Sequence, residues 1–319
     1  MSSASSWSDG STVGLPDRSD SSGDTAGTLP GRLDTHEGSR NARNGGASLP
    51  AVPLLTEFKS FYRRRLQIPV GPTDLVLDVG SGDKPHWRAD VLLDWFPTEA
   101  DGAQRSGAAA AKISRPLFAG DAAQMPFADQ AFDYVICSHL LEHVVDPAGV
   151  IAELMRVGKA GYIEVPEASS AKIVDFPTHL WFCRLIDGVL DFEPKSGPSF
   201  DPEIASYLER SGLEHDIERL LNSRFDDRVI SLRWSGDIPH FVRGSANPAM
   251  LASAAAASVV HQSNTALVAS VFTTSAALID RRHHRVVRWN EIVKPELSVA
   301  DDQVLTARMY RVEEPGNVN

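Results

Sequence analysis

The chain has 319 residues, with 31 Lys and Arg against 42 Asp and Glu, and its formal net charge at pH 7 is −11. This length accommodates one large or two modest domains, each with a full hydrophobic core. The acidic balance disfavours nucleic acid or an anionic membrane as the main partner, because both require a positive face. A small molecule or another protein is the favoured class of partner.

The cysteine count and the hydropathy pattern favour a cytoplasmic protein without an integral membrane segment. The two cysteines are too few for a disulfide framework or a Cys-rich zinc site. The first ten residues lack the cationic start and apolar centre of a secretory signal. Residues 249–279 are rich in alanine, but the polar residues at 261–264 interrupt them before an apolar run of ~18 residues is reached.

Composition divides the chain into three parts, and the sequence leaves its oligomeric state open. Residues 1–48 are rich in Ser, Gly, Asp and Thr without apolar periodicity, which predicts a disordered tail. Residues 49–245 are predicted to form one domain, which begins with an amphipathic helix over residues 54–68. Residues 246–319 are predicted to form a helical extension, part of which completes the sheet of that domain.

Short apolar runs alternate with helical patterns from residue 74 onward, which predicts an α/β fold with a mostly parallel central sheet flanked by helices. The predicted strands are 74–79, 91–94, 116–119, 132–138, 161–165, 189–192, 228–234 and 238–242. The predicted helices are 140–144, 148–157 and 202–221.

A glycine-containing turn, Gly80-Ser81-Gly82, directly follows the first predicted strand. Glycines there allow a sharp backbone turn and the close approach of a ligand. Asp94, at the end of the second strand, can accept both hydroxyl protons of a ribose. The fingerprint of a dinucleotide site requires a third glycine, whereas Asp83 follows this turn. The loop is therefore poorly equipped for a pyrophosphate, which favours S-adenosylmethionine over NAD or FAD.

Residues 74–165 resemble the class I S-adenosylmethionine-dependent methyltransferases. The resemblance is carried by LVLDVGSG at 75–82, GDAAQMPFADQAFD at 120–133 and SHLLEH at 138–143, in the order and spacing of that family. It implies a Rossmann-like domain that transfers the sulfonium methyl group to an acceptor by in-line displacement. The acceptor is predicted to be a small molecule, a lipid or a sugar, methylated at oxygen.

The resemblance also implies roles for individual residues around the cofactor. Asp94 would bind the ribose hydroxyls, and Asp121 would accept from the adenine amino group while the Ala122 N–H faces the ring. The residues implied beneath the methionine part and beside the sulfonium are Asp78, Gly80, Ser81, Gly82, Ser138 and His139. Each carboxylate also has a structural interpretation, as a turn-capping group or an Asx turn.

Candidates for catalysis and for acceptor binding follow the fourth and fifth strands. If the acceptor is a hydroxyl, His139 is the first candidate to take its proton, because a neutral imidazole near pH 7 suits that task. His179 and Trp181 follow the fifth strand, where α/β enzymes place substrate loops. The helical spacing of Trp181, Phe182 and Leu185 is also typical of core residues.

Residues 139–143 also match H-x-x-E-H, the inverted zinc-peptidase pattern, in which two histidines on one helical face hold zinc. Its third ligand would have to be Glu153 or Glu164, which lie on a predicted crossover helix and a predicted buried strand. We therefore predict no metal, with Glu142 and His143 as helix-packing and surface residues. A zinc hydrolase and a non-catalytic cofactor-binding scaffold are the alternatives to a methyltransferase.

Two further basic features have the same double interpretation. Arg105 and the basic patch at residues 281–288 could meet an anionic ligand. In an acidic chain such charges more often form a solvated face. We predict a solvated face for the basic patch at residues 281–288.

Overall fold

A computed structural model describes residues 67–95, 110–250 and 285–312, with gaps at 174–175, 177, 198–201, 214–215, 218–219, 222–223 and 248–249. The predicted tail, the predicted first helix, Arg105 and the alanine-rich stretch 251–284 lie outside the described residues.

Ten strands are found in the described part of the chain. They are β1 Val76–Val79, β2 Val91–Asp94, β3 Leu117–Ala119, β4 Tyr134–Ser138, β5 Ala160–Pro166, β6 Trp181–Ile186, β7 Val189–Pro194, β8 Val229–Ser235, β9 His240–Val242 and β10 Met309–Arg311. Seven of them form a central sheet in the order β10-β3-β2-β1-β4-β5-β8. Every neighbouring pair in this sheet is parallel except β5 with β8, which confirms the predicted fold class. All eight predicted strands are present, with ends within about two residues.

The central strands are mainly apolar because elements cover both faces of the sheet, and the few acids in them, such as Asp78 and Asp94, are hydrogen-bonded. All four residues of β1 and of β2 are buried. One continuous core extends from these strands to the aromatic rings of Phe118, Phe127 and Phe132. Phe127 packs edge-on against both of the other rings, with ring centres 5.0 Å apart in each pair.

The described helices are α1 Pro147–Val157, α2 Ala168–Ile173, α3 Pro202–Ser211, α4 Phe225–Arg228 and α5 Trp289–Ile292, with a 3₁₀ turn at Pro295–Leu297. Helix α1 matches its prediction: Asp146 caps it by accepting from the Gly149 N–H, and Gly158 follows its last residue. Helix α3 ends at Ser211, because Gly212 adopts a φ of +73°, and the described residues 213, 216–217 and 220–221 of the predicted helix 202–221 are again helical. None of the helices described is both long and apolar enough to cross a membrane.

Strands β6, β7 and β9 form a second, smaller sheet. The interpretation of residues 181–185 as helically spaced was wrong, because they belong to β6. Strands β6 and β7 are antiparallel and joined by Asp187-Gly188, whose φ angles of +50° and +81° are those of a two-residue hairpin turn. An Asp-Gly pair is a strong hairpin signal, so the sequence contained the information that predicts this turn.

One other prediction needs correction, and one is tested only in part. Residues 140–144 form a turn and not a helix, because His139 adopts a left-handed φ of +54° and the His143 N–H donates to the Leu140 carbonyl. The described part of the C-terminal region, 285–312, contains only one four-residue helix and one 3₁₀ turn. Its strand β10 pairs with β3, so residues 309–311 complete one edge of the sheet as predicted, while the helical extension over residues 246–319 stays a prediction. The domain boundaries stay predictions.

Gly161 of β5 supplies a stability prediction. A Cβ at this position would lie 2.4 Å from the Val135 carbonyl oxygen and 2.6 Å from the Trp234 ring. Since the Val135 oxygen belongs to the backbone of β4, it cannot move without disturbing the sheet. We expect Gly161→Ala to lower the free energy of unfolding by about 1–3 kcal/mol or more, as overpacked core substitutions do.

Urea denaturation would measure this loss, with Gly197→Ala as the matched control. Among the described residues, no atom lies within 4 Å of a Cβ built on Gly197, so that variant should retain the stability of the parent. Equal stability of the two variants would contradict the packing described for β4, β5 and β8.

Candidate functional site

The candidate site lies at the carboxyl ends of the parallel strands, where the strand order reverses. Strand β1 has β2 on one side and β4 on the other, so the chain runs outward in both directions from this point. In open α/β sheets the crevice at such a switch point is the place where ligands bind. The predicted residues follow this edge: the glycine turn after β1, Asp94 at the end of β2, Asp121 after β3, and Ser138 at the end of β4.

The glycine turn requires its glycines. Gly80 and Gly82 have φ angles of +73° and +52°, which other residues rarely adopt. A Cβ on Gly80 would also lie 3.0 Å from Leu140 Cδ1, so the loops after β1 and β4 approach each other closely. Asp94 Oδ2 accepts a hydrogen bond of 2.7 Å from the Gly82 N–H. Asp94 therefore fixes the turn as well as lying beside it.

Asp78 and Ser81 have different surroundings. Asp78, within β1, is buried, and its Oδ2 accepts from the His86 N–H at 2.7 Å, which fixes the loop beyond the turn. The hydroxyl oxygen of Ser81 is buried and makes no hydrogen bond to the described residues. A buried hydroxyl of this kind is suited to contact with a polar ligand group.

Asp121 begins the loop after β3. Its Oδ1 accepts from the Ala123 N–H at 2.8 Å, which confirms the interpretation as an Asx turn. The Gly120 N–H donates to the Asp94 carbonyl at 3.2 Å, so the loops after β2 and β3 are adjacent. Ala122, the next residue of the loop after β3, is almost fully buried.

His139 lies between two glutamates. Its Nδ1 is 3.1 Å from Glu142 Oε1, and its Nε2 is 3.1 Å from Glu164 Oε1. Both carboxylates are buried, whereas 39% of the His139 side chain is exposed. Burial opposes the charge of the ring, but the hydrogen bonds to both glutamates outweigh it and raise the pKa of His139 to about 9.

This pKa changes the chemistry expected of His139. The sequence led us to expect a neutral imidazole at pH 7, whereas the two carboxylates make His139 an imidazolium there. An imidazolium donates protons and does not accept them. His139 can act as a proton acceptor only as the pH approaches about 9.

Glu164 anchors this arrangement from inside the sheet. Ser138 Oγ donates to its Oε1 at 3.1 Å, and the Tyr162 hydroxyl donates to its Oε2. The Tyr162 oxygen also lies 3.0 Å from Ser231 Oγ on β8. Sequence reasoning did not find this network. The available signal was a glutamate within an otherwise apolar buried strand, a position that charged residues occupy only when they have partners.

The loop beyond β5 brings His143 and His179 together. His143 Nδ1 lies 3.1 Å from the Thr178 carbonyl oxygen, and the two imidazole rings meet edge-on with centres 4.7 Å apart. Burial lowers the pKa of His143, and it lowers that of His179 well below its usual value. Trp181 does not line a cleft: it lies in the core and donates from Nε1 to the Val144 carbonyl.

The H-x-x-E-H segment does not adopt the geometry of its pattern. Because residues 139–143 are not helical, His139 and His143 do not share a helical face, and His139 is held by Glu142 and Glu164. Glu142 is fully buried, so the prediction of a surface residue was wrong. Glu153, a candidate third ligand, instead binds Arg156 and the Met125 N–H.

The described end of the basic patch consists of paired cations. Arg285 binds Glu291, and Arg288 lies 3.8 Å from Asp302. This supports the prediction of a solvated face at these two residues. Residues 281–284 lie outside the described part.

Comparison with known proteins gives a match at the same region. Residues 77–163 match the family model described as a methyltransferase domain. The demethylmenaquinone methyltransferase of Mycobacterium sp. strain KMS is 33% identical over 103 residues, which cover 32% of this chain and 45% of that protein. The enzyme of that name from Renibacterium salmoninarum is 38% identical over 108 residues, covering 31% and 44%.

The chain thus spans less than half the length of these curated relatives. A SAM-dependent methyltransferase structure from Thermotoga maritima is 21% identical, with a TM-score of 0.25, and covers 36% of this chain and 51% of that one. The family match at residues 77–163 agrees with the resemblance to methyltransferases found in the sequence.

Proposed function

We propose that this chain is an S-adenosylmethionine-dependent methyltransferase that acts on a small-molecule acceptor. The observation that supports this best is the position of the glycine turn and Asp94. They meet at the switch point of a mostly parallel sheet, within the segment that matches a methyltransferase domain.

The residues at this edge fit the groups of the cofactor. Asp94 supplies a carboxylate for the ribose hydroxyls, and the Gly80-to-Gly82 turn allows the methionine part to approach the backbone. The hydroxyl of Ser81, which has no hydrogen-bond partner among the described residues, provides a polar contact on the same turn. In this proposal Asp121 and Ala122 face the adenine, Asp78 supports the turn from below, and Ser138 lies near the sulfonium.

The bound cofactor would supply an activated methyl group. The protein then has to hold the acceptor in line and exclude water, which can lower the barrier by about 7–11 kcal/mol. We propose oxygen as the methylated atom and His139 as its proton acceptor. Because the pKa of His139 is raised to about 9, turnover by this route should increase with pH up to about 9.

We propose that the residues that select the acceptor lie outside the segment that matches the family model. The curated relatives are named for demethylmenaquinone, a small molecule, and the match to each covers about a third of this chain or less. The loop that carries His179, beyond β5, is our proposed part of the acceptor site. His179 itself is almost fully buried, with 6% of the residue exposed.

Calorimetry on the purified full chain tests the cofactor part of the proposal. We expect binding of S-adenosylmethionine and S-adenosylhomocysteine, and no binding of NAD. Incubation of cell extract with a labelled methyl donor, followed by mass analysis of labelled products, then identifies the acceptor and the methylated atom. Binding without turnover on any acceptor would favour the non-catalytic scaffold, and absence of cofactor binding would refute the proposal.

A further inference from the structure

Glu142, His143 and His179 form a cluster of potential metal ligands beside the proposed methyl-transfer site, and the proposed function assigns no metal to them. One ligand atom from each residue lies within 4.8 Å of the other two. Donors bound to one zinc ion at the usual bond lengths are about 3.4 Å apart, so small side-chain movements would bring all three into contact with a single ion.

The orientation of His143 is that of a metal ligand. Its Nδ1 lies 3.1 Å from the Thr178 carbonyl oxygen, a partner that takes the N–H of this nitrogen. The lone pair of Nε2 is then free to face Glu142 Oε1, which is 3.9 Å away. A histidine that binds metal almost always has its other ring nitrogen fixed in this way.

Glu142 provides an independent indication of a bound cation. Its side chain is fully buried, and His139 occupies only Oε1. The second oxygen, Oε2, is buried and makes no hydrogen bond to any described residue. An ionised oxygen in this situation has lost its water without a replacement, which is costly unless a cation or a donor binds there.

We infer that Glu142, His143 and His179 together bind one divalent transition-metal ion, with Zn²⁺ as the expected species. Two imidazole nitrogens and one carboxylate oxygen form a donor set used by catalytic zinc sites. Three protein ligands leave one position of a tetrahedral ion for water or for an oxygen of another ligand. The inference goes beyond the proposed function, because the cluster is built from residues outside the cofactor turn.

This site differs from the H-x-x-E-H pattern in its ligands. The pattern would use both His139 and His143 on one helix, whereas here His139 is an outer partner of Glu142. His179, from the loop after β5, replaces it as a ligand, so the site forms only when that loop folds onto the turn after β4. Sequence spacing alone therefore could not reveal it.

Zinc titration of the full chain tests the inference. The protein is treated with EDTA, freed of the chelator, and titrated with Zn²⁺ against a chromophoric competitor. We expect one tight site per chain. His143→Ala, His179→Ala and Glu142→Gln should each weaken zinc binding by roughly 10-fold or more. His240→Ala is the matched control, because His240 Nδ1 also contacts a backbone carbonyl, that of Ile238, and it should bind zinc like the parent.

Circular dichroism and thermal unfolding establish that each variant is folded. If an alanine variant does not fold, Co²⁺ is bound instead to the parent and to His143→Gln. The visible absorption typical of tetrahedral Co²⁺ should appear in the parent and be absent from His143→Gln. Absence of a stoichiometric site in the folded parent would overturn the inference, as would unchanged zinc affinity in all folded cluster variants. Neither result depends on S-adenosylmethionine, so failure here is distinguishable from failure of the proposed function.

Discussion

Asp94→Ala is expected to weaken binding of S-adenosylmethionine by roughly 10- to 150-fold. A carboxylate that accepts from both ribose hydroxyls contributes about 1.5–3 kcal/mol, the usual range for hydrogen bonds to charged groups. The structure adds a second cause, because Asp94 Oδ2 also accepts from the Gly82 N–H and fixes the glycine turn. Removal of the carboxylate therefore takes away a ligand contact and loosens the loop that holds the rest of the cofactor.

Asp94→Asn separates these two causes. The amide oxygen can still accept from Gly82, so the turn should persist, while the charge that strengthens the ribose contacts is lost. We expect the affinity of Asp94→Asn to lie between those of the parent and Asp94→Ala. Calorimetry measures the affinities, and thermal unfolding reports whether the turn contributes to stability.

Asp121→Ala should reduce the affinity less, since water at the rim can partly replace a single bond to the adenine. If Asp94→Ala bound the cofactor like the parent while Asp78→Ala did not, the ribose would be held elsewhere. The role of Asp94 at the end of β2 would then be limited to the Gly82 contact.

The central sheet was predictable because its strands carry a strong local signal. Strands buried on both faces are rich in apolar residues, and Val91-Leu92-Leu93 shows this so clearly that both predicted ends of β2 are those observed. The glycine turn was equally accessible, since only glycine readily adopts the φ angles found at residues 80 and 82. Positions fixed by backbone conformation or by two-sided burial are those that a single sequence shows best.

The parts that sequence reasoning missed depend on contacts between distant segments. The left-handed φ of His139 accompanies the hydrogen bond of its N–H to the Glu164 carbonyl, which no local pattern encodes. Likewise, Glu142 is buried because the loop around residues 178–180 covers it, and its backbone carbonyl accepts from the Leu180 N–H. In each case a polar residue that looks solvent-exposed in sequence is buried by a loop that arrives later in the chain.

The charge of His139 leads to a prediction about stability and pH. The pKa of this ring is raised to about 9 in the folded protein, from 6.5 in the unfolded chain. A raised pKa stabilises the fold fully below the unfolded value, and that stabilisation is lost as the pH rises through the folded value. The stability difference between the parent and His139→Gln should therefore be largest at pH 6.5 or below and shrink by pH 9.5.

We expect this difference to decrease by about 1–2 kcal/mol over that range, which is less than the pKa shift alone would give, because 39% of the side chain is exposed and solvent screens its charge. Urea denaturation of both proteins at several pH values, with EDTA present to exclude metal binding at Glu142, measures the difference. Titratable groups that both proteins share, such as the buried cysteine thiols, contribute equally to both stabilities and cancel in the difference. A difference between parent and His139→Gln that is constant from pH 6 to 9.5 would mean that His139 does not carry its charge between the two glutamates, and His139 would then be a neutral imidazole available as a base at pH 7.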